Sequence, residues 1–114
     1  MAELSRQTIT TVFALQQELL GIINEATATA YRILEIYGET DTSLLAFDDL
    51  DNARDRARAY YGRLGTLLER ISEAQPFASS AMLELLDRSI DEAQATIAAT
   101  EATVNEEKRS FDLL

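Results

Sequence analysis

Apolar residues recur along this chain in alternating steps of three and four. One run takes Val12, Leu15, Leu19, Ile22, Ala26, Thr29, Ile33 and Ile36; a second takes Leu50, Ala53, Ala57, Tyr60, Leu64, Leu67 and Ile71; a third takes Leu83, Leu86, Ile90, Ala93, Ile97, Thr100 and Val104. A mean step of about 3.5 lies close to the 3.6-residue helical turn, so each run occupies one helical face. The pattern predicts an all-α chain, an elongated up-down-up bundle of three helices joined by two short connectors. Helices one and three then run parallel, with helix two antiparallel between them.

Local signals set the expected boundaries. The first helix is predicted from Glu3 to Tyr37, about 50 Å long at 1.5 Å per residue, with Gly38 as its C-terminal cap. Asp41, Thr42 and Ser43 all carry oxygens able to cap a second helix predicted from Ser43 to Ser72. The acids Asp48, Asp49 and Asp51 suit the start of a helix, so a bend near Asp48 is expected. Gly62 and Gly65 lie inside this helix and suit close packing of a neighbour, with Tyr60 and Tyr61 covering the gap. Pro76 disfavours helix at Gln75, and Ser79 or Ser80 caps a third helix running to Arg109. Phe111, Leu113 and Leu114 form a short apolar tail, expected to fray unless something binds it.

Helix one carries more apolar surface than one stripe requires. Ile9, Phe13, Leu20, Ile23 and Leu34 flank the main run, a breadth suited to two neighbours. The aromatics Phe13, Tyr31 and Tyr37 on or near this stripe read as core filling. Ala26-Thr-Ala-Thr-Ala30 offers small side chains that admit a close helix. A three-helix bundle leaves part of so wide a face open, and burial gains about 25 cal/mol per Å² of apolar surface. Completion of the bundle by a homo-oligomer, most economically a twofold dimer, is therefore expected. The candidate interface residues are Val12, Phe13, Leu20, Ile23 and Phe111.

Composition narrows the chemistry. The 114 residues suit one helical domain, 1–114, and contain no cysteine and no histidine. Disulfides, structural zinc, thiolate nucleophiles, histidine-ligated haem and Ser-His-Asp catalysis are excluded. No cofactor or metal is expected, and an enzyme is not. Residues Met1 to Gln7 do not resemble a signal peptide, and no apolar stretch reaches 18 residues. A soluble cytoplasmic protein without a membrane partner is the expectation.

Twenty acids against ten bases give a net charge of -10, which disfavours direct nucleic-acid binding. The charge is uneven. Residues 54–72 hold five arginines against Asp55 and Glu69, so this stretch of helix two is a basic rod in an acidic chain. Ion pairing within the bundle is the expected use of these arginines; an anion patch at Arg54, Arg58 and Arg63 is the functional alternative. Glu84, Asp87 and Asp91 share one side of helix three, offset from its apolar face, and read as solvated.

These features point to a non-enzymatic protein-interaction module that self-associates through helix one. An acidic adaptor, chaperone or inhibitor for a basic partner protein is the alternative, and a small anion-binding protein or enzyme built on the helix-two arginines ranks below both.

Overall fold

The computed structural model describes residues 4–114. Three helices account for nearly all of them: α1 (Arg6–Tyr37), α2 (Asp41–Glu73) and α3 (Ser80–Ser110), with no strand among the described residues. Each helix packs on both others in the up-down-up order. The result is a rod measuring 57 × 19 × 17 Å.

Side-chain oxygens start all three helices. Ser5 caps α1, its Oγ accepting the Thr8 N–H at 3.0 Å, so the helix begins inside the predicted bound; Glu3 lies outside the described residues. Thr40, rather than Asp41, Thr42 or Ser43, caps α2. Its Oγ1 accepts the Ser43 N–H at 3.0 Å while the Ser43 Oγ accepts the Thr40 N–H at 2.6 Å. This reciprocal box satisfies two amides at once. The buried Ser43 hydroxyl also donates to the Gly38 carbonyl, tying the connector to the helix it starts. With that start fixed, α2 runs unbroken through Asp48, which lies within the helix, as do Asp49 and Asp51. Ser79 caps α3.

Gly38 ends α1 at φ 70°, a left-handed conformation that costs glycine little. The end of α3 is closed by Asp112 at φ 56°, with the Leu113 N–H donating to the Lys108 carbonyl at 2.7 Å. That six-to-one bond turns the tail back onto the bundle. Phe111 is buried there, its ring 5.3 Å from Tyr37 in an edge-on contact, and the Tyr37 hydroxyl donates to the Phe111 carbonyl at 2.8 Å. Phe111 thus belongs to the core, held by a contact 74 residues away in sequence, and Leu113 packs half-buried beside it, while Leu114 stays exposed.

The periodic stripes fill the interior. Of the first run only Ile36 is exposed; Tyr60, Leu83 and Ile90 are half-buried, and the remaining positions of the three runs are buried. The core divides into a larger cluster around Leu19, Leu64 and Leu86 and a smaller one around Ile33, Leu50 and Phe111. Small residues join them: Ala26, Thr29, Ala53, Ala57, Ala93, Thr96 and Thr100 are all buried. The Thr100 hydroxyl is satisfied by the Thr96 carbonyl at 2.6 Å. Ser89, also buried, has a hydroxyl with no partner.

A buried unpartnered hydroxyl is costly, and alanine is the better helix former. Ser89→Ala is expected to raise stability by about 1 kcal/mol, read as a higher urea midpoint with an unchanged slope.

Candidate interaction surface

The flank of α1 next to α2 is where the sequence-derived interface residues divide. Phe13 is 58% exposed and Leu20 49%, and Ile23 is half-buried beside them. Val12 and Phe111 are buried within the chain itself and present nothing to a partner. The reason for the split is angular. Consecutive helical residues point about 100° apart, so Val12 enters the core and its neighbour Phe13 leaves it. Tyr31, read from sequence as core filling, is 61% exposed, and Leu34 is 43% exposed. Tyr37 is partly exposed but committed to Phe111.

Beside this flank lies the α1–α2 groove. Toward the start of α1 it opens into a trough of about 740 Å³ lined by Leu4, Ile9, Phe13, Gln16, Gly65, Leu68, Glu69, Ser72 and Glu73. Gln16 spans the floor, its amide donating to the Tyr61 carbonyl at 3.1 Å and standing 3.2 Å from where a Gly65 side chain would begin. Gly65 therefore makes room for Gln16. Gly62 faces open space and packs on nothing, contrary to the close approach expected of both glycines.

A second groove, of about 690 Å³, separates the parallel helices α1 and α3. It is lined by Gly21, Ile22, Ile97 and Val104 among polar residues that include Glu18, Glu25, Glu101 and Lys108. Lys108 Nζ bridges it to Glu25 Oε2 at 2.5 Å.

The helix-two arginines do not converge. Arg54 lies 3.3 Å from Asp51 and 3.1 Å from Asp55 on its own helix, and Arg58 lies 3.8 Å from the same Asp55 carboxylate. Arg63 is nine residues beyond Arg54, about two and a half turns, which puts it on the opposite flank of α2. There its guanidinium stacks 4.8 Å above the Tyr60 ring, whose hydroxyl donates to Glu92 at 3.4 Å. Glu84, Asp87 and Asp91 are exposed, and no group of three or more His, Cys, Asp or Glu among the described residues is placed to hold a metal ion.

One carboxyl departs from its ordinary behaviour. Partial burial raises the Glu107 pKa to about 7, reinforced by a hydrogen bond to Asp49 and by the negative charges of Asp49 and Glu106. Glu107 stands in the last turns of α3 and Asp49 in the first turns of α2, so the two carboxyls come together where these helices pack. This pair is not legible in the sequence, because the residues meet only through the antiparallel register. A raised carboxyl pKa means that the fold holds the proton more tightly than the unfolded chain. The contribution is complete below pH 4.5, the ordinary value, and is lost as pH rises through about 7. Glu107→Gln, which carries a permanent donor, is expected to match the native chain in melting temperature at pH 4 and to exceed it increasingly up to pH 8. A difference independent of pH would contradict the pairing.

No helix of the described residues is long and apolar enough to cross a membrane. No protein-family model matches the chain, and neither a curated protein nor a solved structure matches it.

Proposed function

We propose that this chain is a non-enzymatic helical interaction module of the cytoplasm that self-associates through the exposed flank of α1. One observation carries the reading. Phe13, Leu20, Tyr31 and Leu34 stand exposed on a flank that bears no charged residue from Ile9 to Leu34, in a chain of net charge -10. Two strongly acidic molecules repel wherever their acidic surfaces meet. A neutral, apolar strip gives them a face on which contact buries hydrocarbon without desolvating like charges.

Shape supports the same conclusion. The radius of gyration is 17.3 Å, against about 13 Å for a compact chain of this length. The accessible surface is 7176 Å², against roughly 6,200 Å² for a compact monomer of this mass. The difference is of the order that one partner buries in a standard interface, about 800 Å². The non-enzymatic part of the reading rests on composition, since neither histidine nor cysteine is available for acid-base or nucleophilic work.

Sedimentation velocity over a concentration series tests the proposal. The native chain is expected to shift from monomer to dimer as concentration rises. Leu20→Glu places a charge at the centre of the strip and is expected to weaken association at least 30-fold, about the effect of losing one interfacial hot spot, with an unchanged helical circular-dichroism spectrum. A strictly monomeric native chain across the series would overturn the reading.

A further inference from the structure

The partly uncovered strip of α1, with Phe13, Leu20, Thr27 and Leu34 exposed and Ile9, Gln16, Ile23 and Ala30 half-buried, has an order that specifies how two copies meet. Starting at Ile9 it advances by alternating steps of four and three to Leu34. We infer that α1 docks on α1 of a second copy in antiparallel order, about a twofold axis crossing the helix between Gly21 and Ile22. This inference rests on the self-association proposed above and adds its register and orientation.

A twofold axis at that point brings residue i level with residue 43 minus i of the second copy. Leu20 then meets Ile23, and Ile9 meets Leu34, apolar on apolar. Gln16 meets Thr27, so the two polar positions of the strip face each other. Phe13, the bulkiest of the eight positions in the four-three run, meets Ala30, the smallest; Tyr31 lies at the edge of the run. Large against small is how close-packed interfaces fill space without voids or strain. In the parallel arrangement Phe13 opposes Phe13 and Ala30 opposes Ala30, which crowds one layer and leaves a gap in another.

Charge at the two ends of the strip selects the same orientation. Arg6 and Glu35 are 29 residues apart, about eight full turns, and so lie on one side of α1. Neither forms an ion pair among the described residues. The antiparallel rotation brings Arg6 level with residue 37 of the second copy, within one turn of its Glu35, and does so at both ends. A parallel dimer would stack arginine on arginine and glutamate on glutamate. Antiparallel helix dipoles also attract, whereas parallel ones repel.

The strip is long enough for an extended contact. From Ile9 to Leu34 the strip is about 37 Å long. An α1 strip of that length is about seven helical turns long, so the contact with a second α1 extends over most of the 57 Å rod.

The chain has no cysteine, so single cysteines introduced on the exposed side of α1 accept spin labels cleanly. Asn24→Cys and Thr10→Cys lie off the strip and are exposed. Pulsed dipolar spectroscopy on each labelled homodimer is expected to give a short distance for Asn24→Cys, whose two copies are about 8 Å apart along the axis, and a long one for Thr10→Cys, about 35 Å apart. Equal short distances at both sites mean a parallel dimer and overturn the register alone. A dimer in sedimentation with no short distance at Asn24→Cys means another face is used and overturns the inference. A monomer in sedimentation with no dipolar coupling at either site overturns the inference together with the self-association beneath it.

Discussion

Helix α1 carries two apolar seams, and a bundle of three helices closes over only one. The seam from Val12 to Ile33 is buried against α2 and α3. The other, running past Phe13, Leu20 and Leu34, is left partly exposed along the edge of the α1–α2 groove. The geometry allows nothing else. Two neighbours packed at helix-contact distance cover a limited arc of a cylinder, and the apolar arc of α1 is wider than that. The rod shape and its large surface follow from three helices of 31 to 33 residues lying side by side; the expected behaviour in solution follows from this mismatch between one wide helix and two partners.

The interior that does form is modest. Alanine and threonine occupy the middle of the seams, so the two core clusters meet through side chains that bring backbones close while burying little hydrocarbon. Polar devices compensate locally. Ser43 closes the first connector, Tyr37 holds the C-terminal tail and Lys108 bridges α1 to α3. Each acts near an end or an edge of the bundle, where the apolar packing thins. In a chain of this size net stability is a small difference between large terms, so covering the second seam would add a substantial fraction of the total.

The elements were legible in the sequence because helical periodicity is local. The three stripes identified most core positions, missing Ala46, Leu68, Ala78 and Phe111 among the apolar ones, and the lone exposed member, Ile36, has a clear cause. From Ile33 a step of three reaches Ile36 and a step of four reaches Tyr37. The fold uses Tyr37, because Phe111 packs there. That contact, like the Asp49–Glu107 pair, joins residues distant in sequence and is set by register, which periodicity does not encode. The candidate interface was legible in part for the same reason. Apolar content marked α1 as unusually wide, yet whether Val12 or Phe13 turns inward depends on where α2 and α3 settle. The arginines were hardest to read. Arg54, Arg58 and Arg63 are close in sequence, but half-turn phasing and the carboxylates of Asp51 and Asp55 separate them.

If the second seam of α1 is covered only by another molecule, folding and association are one linked process, and thermal stability depends on protein concentration. The melting temperature measured over a hundred-fold concentration range tests this most directly. It is expected to rise steadily with concentration. A melting temperature that stays constant across the range would contradict the account, since the exposed strip would then be tolerated by a chain that is complete on its own.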